Sequence, residues 1–484
     1  MRIEKNDILT VEIISLGSDG EGIAKADGFP VFIKDSIPGD ICEIKIIKAK
    51  KNLAFGRLLR IIKASPDRVK APCPVAKRCG GCSIQPLSYD RQLDFKKDRV
   101  RECLSRIGGI DRETVFAITE DTVGMDEPYR YRNKAQYPVG YDRKGDLTAG
   151  FFASRSHEII SNDDCLLLPD EFADILDALL RFMKENGISA YDEKTCSGSI
   201  RHLVLRKAFA TGEIMAVIVS ASDQILHEDM LPEVLGRAGN VTTVVLNINK
   251  ENTNIILGNK NRILSGSGYI TDILCGLKFR ISPLSFYQVN PYIASKLYET
   301  VLEYADLSGS ETVWDVCCGI GTIALFLAGH CKKVLGIEIV DAAVKDAEEN
   351  ALLNGVSNAD FITGAAEDVL PRMTMSGSEK PDAVILDPPR SGMERPALDA
   401  VIKVSPERIV YVSCDPATLA RDVKILLEAG YSIRKARPFD QFCQSGHVEV
   451  VSLLQKMSNT RERTITLDVE MEDYYRLKNE TGKA

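Results

Sequence analysis

Cys414 follows the apolar run Arg408–Ser413 and precedes Asp415-Pro416. Asp is a good helix N-cap and Pro a good first helical residue. The spacing predicts a strand tip, then a cysteine, then a helix N-terminus. Positive potential at a helix start should lower the thiol pKa and favour the thiolate. A thiolate at such a place is a nucleophile; the alternative is a small buried packing residue. A second tip of this kind ends in Leu386-Asp387-Pro388-Pro389-Arg390. Further on, Glu449 sits among β-branched residues in Gly446-His447-Val448-Glu449-Val450-Val451. Such an acid either faces outward on an edge or is held for proton chemistry, and the residues alone leave both open. His447 reads as structural.

The run Asp315-Val316-Cys317-Cys318-Gly319-Ile320-Gly321-Thr322 ends one strand and opens a helix. Its glycines let the backbone approach a ligand, and the helix start supplies free N–H groups. It lacks the third glycine of the dinucleotide fingerprint. The next strand ends in Gly336-Ile337-Glu338. An acid there can accept both ribose hydroxyls of a bound nucleoside. Together the two tips favour a nucleoside cofactor over a bare structural turn.

A third constellation is Cys73, then Cys79-Gly80-Gly81-Cys82, then the distant Cys165. By spacing alone, four cysteines suit zinc or an iron–sulfur cluster equally. The chain has 13 cysteines and no apolar leader after Met1. That combination implies a reducing, cytoplasmic setting, in which clustered cysteines are ligands or catalysts. The remaining cysteines show no partner pattern.

The elements that must carry these residues fall into three groups. Leu9–Leu16, Phe29–Ile33, Ile41–Ile47 and Phe55–Ile62 are short apolar runs separated by glycine turns, which predicts a small five-stranded barrel over residues 1–64. Residues 65–275 hold the cysteine knuckle, a helix from Ser88 to Gly108-Gly109, and a mixed α+β region with a helix near 170–186. Over 276–456 strand and helix alternate, with strands at 312–317, 333–339, 359–363, 383–387, 408–413, 431–437 and 448–454. This predicts an α/β, doubly wound, mostly parallel sheet whose last two strands are antiparallel. The tail, 457–484, is polar and has no assigned role.

At 484 residues the chain is too long for one core. No stretch approaches the roughly 18 apolar residues of a membrane span. Net charge is −8, yet residues 1–110 carry 21 Lys+Arg against 14 Asp+Glu. Between Lys45 and Arg78 there are eleven basic residues and one acid, Asp67. A run this one-sided on an acidic protein reads as a phosphate-binding patch.

Four segments together resemble the RNA (uracil-5)-methyltransferase family, most closely its 23S ribosomal-RNA branch. They are Phe286-Tyr287-Gln288-Val289-Asn290, Asp387-Pro388-Pro389-Arg390, Ser413-Cys414-Asp415-Pro416 with Ala417–Asp422, and Gly446-His447-Val448-Glu449. The resemblance spans roughly residues 8–456. It implies a Rossmann-like class I methyltransferase domain behind an OB-like TRAM barrel that binds RNA. It implies Cys414 as nucleophile and Glu449 as base. It implies Gln288, Cys317, Gly319, Gly321, Glu338 and Asp387 as contacts to S-adenosylmethionine. It also implies a 4Fe–4S cluster on Cys73, Cys79, Cys82 and Cys165, with zinc as the alternative. Cys317 stands where the family carries an aromatic, so Cys317 and Cys318 read as packing residues. The expected partner is RNA, 23S ribosomal RNA in the first place and transfer RNA in the second, and the expected enzyme is a cytoplasmic monomer. The chemistry fits the residues. Carbon 5 of uracil is a poor nucleophile until a thiolate adds at carbon 6, and the adduct must lose a proton to a base before the cysteine leaves. Two rivals combine some of these features. A radical methylthiotransferase joins TRAM to a cluster, but on a close cysteine triplet whose first gap is shorter than the five residues here. A non-catalytic RNA-binding factor would not need Cys414 and Glu449.

Overall fold

A computed structural model of the chain describes residues 3–376 and 380–457. The expected polar tail therefore lies outside the described residues, apart from Met457.

The N-terminal segment closes into a five-stranded barrel. Its order is Ile8–Leu16, Gly22–Ala26, Phe29–Ile33, Ala54–Lys63, Ile41–Ala49, which returns to the first strand. Period-two alternation drives the closure. Val11, Ile13, Val31, Ile33, Cys42, Ile44 and Ile46 point inward and form one buried cluster. Lys48, Lys50, Lys51 and Arg57 stay exposed. Arg60 is held by Glu43, 3.1 Å away.

Helix α1, Tyr89–Arg106, follows the cysteine knuckle. Ser88 occupies its N-cap position, but the hydroxyl makes no capping bond. The buried stripe is Gln92, Lys96, Val100 and Leu104, while Ile107 stays 42% exposed. Two polar residues thus sit where an apolar count places none. Lys96 is fully buried and donates to Asp440 and to the carbonyl of Phe442. Gln92 donates to Gln444. Helix α1 is therefore a clamp on residues 440–446. Arg99 extends the clamp to the barrel by donating to the carbonyls of both Ser18 and Gly446.

The middle of the chain builds a six-stranded sheet. Its order is Lys260–Ser265, Val241–Ile248, Ile214–Ser220, Ile200–Lys207, Lys134–Tyr141, Leu147–Ala149. The helix Glu171–Glu185 covers one face with Phe172, Ile175, Leu179, Phe182 and Met183, at helical spacing.

The last sheet has seven strands: β1 Thr312–Val316, β2 Lys333–Glu338, β3 Ala359–Thr363, β4 Ala383–Leu386, β5 Arg408–Ser413, β6 Tyr431–Phe439 and β7 Glu449–Lys456. Their order is β3-β2-β1-β4-β5-β7-β6. β1 to β5 run parallel; β7 is antiparallel to both β5 and β6. β7 enters between β5 and β6, so its first residues lie beside the last residues of β5. The carboxyl edge thus gathers the tips of β1, β2, β4 and β5 with the start of β7, which is where ligands bind in such sheets.

Candidate active site

The tip of β1 turns through Cys317, Gly319 and Gly321, all at positive φ (67°, 56° and 81°), into helix α2, Thr322–Ala328. At Gly321 a Cβ would come within 3.1 Å of the Phe361 ring, so the turn needs glycine for space as well as for φ. The tip of β2 is locked to this turn. Glu338 accepts from the N–H of Gly319 at 3.0 Å and from that of Val340 at 2.9 Å. Its carboxylate orients the loop and keeps lone pairs free for a ligand.

After β5, Asp415 caps helix α3, Pro416–Glu428, accepting from Ala417 N–H at 2.8 Å. Cys414 sits just ahead of that cap, as its neighbours predict. The β5/β7 ladder ends where Ser413 pairs with Val450, so Cys414, just past β5, and Glu449, at the start of β7, lie together at its end. The two candidate catalytic side chains line one pocket of about 690 Å³. Gln288, Cys317, Gly319, Glu338 and Asp387 line the same pocket. Gly321 lies behind it, in the turn that forms the wall. His447 does not line it; its ring packs edge-on to Phe442.

The pocket is hostile to negative charge. Glu449 is 6% exposed, and burial, then Asp387, push its carboxyl up to about 8. Burial takes Asp387 up to about 7. Burial and Asp387 take Asp315 up to about 8. Neither Asp315 oxygen has a hydrogen-bond partner among the described residues. Cys414 departs from its helix-start expectation. Burial first, then Glu449, push its thiol up to about 11. The helix start does not win, because burial penalises the thiolate first, and Glu449 and Asp387 from other strands add to it. Burial likewise raises Cys317 to about 12.

Three residues without an expected role belong to this site. Arg390 lines the pocket and lowers both Cys414 and Glu449; its signal lay in the Asp387–Arg390 run. Phe286 lines the mouth and is 68% exposed. Gln441 donates to Oε1 of Gln288 at 2.9 Å, leaving the Gln288 amide to point its N–H groups elsewhere. Nothing local in the sequence pairs Gln441 with Gln288.

Cys73, Cys79, Cys82 and Cys165 line a separate cavity of about 290 Å³. Burial pushes Cys82 up to about 12 and Cys165 up to about 11, and each feels Cys73 and Cys79. Among the described residues no three His, Cys, Asp or Glu side chains close around a single ion. No described helix is long and apolar enough to cross a membrane.

Known proteins share this architecture. Residues 243–457 match the family model for tRNA (uracil-5-)-methyltransferase, and residues 2–59 match the TRAM domain. An uncharacterized RNA methyltransferase of Halalkalibacterium halodurans is 45% identical over 94% of this chain and 98% of its own length. One from Clostridium tetani is 44% identical over 93% and 97%. Among solved structures, the Pyrococcus abyssi tRNA (uracil-54, C5)-methyltransferase in complex with S-adenosyl-L-homocysteine superposes with a TM-score of 0.74 at 27% identity, covering 92% of this chain and 99% of that one. The chain belongs to the S-adenosylmethionine-dependent RNA (uracil-5-)-methyltransferase family and carries an N-terminal TRAM domain.

Proposed function

We propose that this enzyme methylates carbon 5 of a uridine through a covalent adduct on Cys414, with Glu449 as the base. The convergence of Cys414 and Glu449 on one pocket, at the shared end of β5 and β7, carries the reading. S-adenosylmethionine is the methyl donor, consumed in each turnover. Gln288, Cys317, Gly319, Gly321, Glu338 and Asp387 form its cradle. The unpartnered, buried oxygens of Asp315 and the raised carboxyl of Asp387 suit a cationic nucleoside, whose charge stabilises both as anions.

Cys414 first loses its thiol proton to solvent, favoured by Arg390 and the donor's positive charge. The thiolate sulfur then bonds to carbon 6, and the ring electrons move to the oxygen on carbon 4 as an enolate. Carbon 5 then takes the methyl group, and the methyl–sulfur bond electrons stay on the departing thioether. Glu449 removes the proton from carbon 5. The freed electron pair restores the ring double bond, and the carbon 6–sulfur bond breaks to release thiolate.

The four cysteines are assigned to a 4Fe–4S cluster. All four line one cavity, and the resemblance to the ribosomal-RNA branch favours a cluster over zinc; no three of them close around an ion among the described residues. Methyl transfer needs no electron transfer, so the group would hold the knuckle together.

Large-subunit ribosomal RNA is the first target, supported by the cysteine set. Transfer RNA is the second, supported by the likeness to the Pyrococcus abyssi enzyme. Mapping 5-methyluridine in both RNAs from a deletion strain decides. Loss at one ribosomal position supports the reading; loss in transfer RNA alone moves the target; loss in neither overturns the activity.

A further inference from the structure

We infer that a second groove, on the central sheet, binds an unpaired nucleotide of the RNA substrate other than the one methylated; this rests on the activity proposed above. The groove has a volume of about 760 Å³ and shares no lining residue with the methyl-transfer pocket. Its walls are the turn at 140–144, the segment 152–159 and the loop at 191–194, over His202.

The groove offers flat faces. Phe152 and His157 hold their rings 5.2 Å apart, inclined at 36°. The guanidinium of Arg201 lies 4.7 Å above the Tyr191 ring. Arg201 cannot swing away, because it donates to the carbonyls of Asn249 and Glu251. Arg78 and Arg143 are steadied by Glu158, at 3.4 and 2.8 Å. Exposed aromatic and guanidinium planes are what unstacked bases bind.

The groove also offers a neutral floor and anchors. His202 is 8% exposed, and its Nδ1 is buried with no hydrogen-bond partner among the described residues. Burial pushes the imidazole down to about 4, so the floor carries no charge there. Lys144 and Lys194 stand exposed at the rim, each beside an aspartate of its own turn, Asp142 and Asp192. Exposed ammonium groups around stacking faces suit a base with its flanking phosphates.

The groove continues the basic surface towards RNA. Arg78 ends the Lys45–Arg78 run. The next residue, Cys79, bridges to Ala153, beside Phe152. Arg78 lines the groove and Cys79 is bridged to its wall, which places the knuckle beside the nucleotide site.

The test uses the full-length protein and an unmodified transcript of the RNA that it methylates, with affinity measured by filter binding across a salt series. Tyr191→Ala should weaken binding about tenfold. Lys144→Ala/Lys194→Ala should reduce the slope of log affinity against log salt by about 0.7 for each phosphate that is no longer neutralised. Calorimetric binding of S-adenosylhomocysteine to each variant reports folding. If Tyr191→Ala fails that control, the exposed lysine pair decides alone. Unchanged RNA affinity and slope in the folded variants would overturn the groove. So would saturable binding of free uridine or adenosine monophosphate there that RNA does not displace. Absence of methylation by the wild-type enzyme is a different failure; it would overturn the activity and leave the binding comparison standing.

Discussion

After burial itself, Glu449 is the strongest influence holding the Cys414 thiol protonated. Burial is the larger cause for both groups, so the free site rests with Cys414 and Glu449 protonated at neutral pH. Arg390 works in the other direction on both groups. A cationic methyl donor adds to Arg390, which ties formation of the thiolate to occupancy of the donor site.

Cys414→Ala should bind S-adenosylhomocysteine as the wild type does and transfer no methyl group, a loss of more than about 10³-fold. The substitution removes a half-buried sulfur and leaves the Asp415 cap intact. Calorimetry for binding and tritium release from carbon 5 for turnover check the two halves. Turnover near the wild-type rate would remove covalent catalysis from the mechanism.

Donor binding should release protons at pH 7. Asp315 and Asp387 are raised to about 8 and about 7, so both hold protons through much of the neutral range in the free enzyme. A bound cation lowers both pKa values, so protons leave on binding and affinity rises with pH between about 6 and 8. The sign for stability is opposite. Asp315 and Asp387 hold more protons in the folded protein than in the unfolded chain over this range, so their contribution to stability falls as pH climbs from about 5 to 8. Titrations in two buffers of different ionisation enthalpy measure the release; proton uptake would contradict it.

The strand tips were legible because their signals are local. Asp415-Pro416 marks a helix start wherever it occurs, and the 315–322 run announces a glycine turn. The final antiparallel pair was readable from the short connection before β7. The insertion of β7 between β5 and β6 was not, although it alone sets Glu449 beside Cys414. The thiol's direction of shift failed for the same reason: the helix start is read from neighbours, whereas Glu449 and Asp387 arrive from other strands. Lys96 shows the limit in the core. A lysine on a helix reads as solvent-facing, and its partner Asp440 is 344 residues away.

Protein purified without oxygen should be brown and contain iron, and Cys79→Ser should lose both colour and iron. Cys82→Ser should do the same, since Cys82 is the most deeply buried of the three thiols with a raised pKa in that cavity. Elemental analysis is the check. Stoichiometric zinc without iron would replace the cluster with a single ion and require the four thiols to close in.

Glu449→Gln separates base from bystander. The amide keeps the shape of the carboxyl and some of its hydrogen bonding, but cannot accept a proton at working pH. It also removes the acid that raises Cys414, so the thiol should ionise more readily than in the wild type. Addition at carbon 6 and methyl transfer should therefore proceed. Proton removal from carbon 5 should stall, and RNA should remain joined to the protein through a methylated adduct. A denaturing gel would show a slower band that requires S-adenosylmethionine and disappears when Cys414 is also replaced. Normal turnover without the band would assign the base elsewhere. His447 is then the next residue to replace, because it stands two positions before Glu449 and packs against Phe442, which lines the pocket.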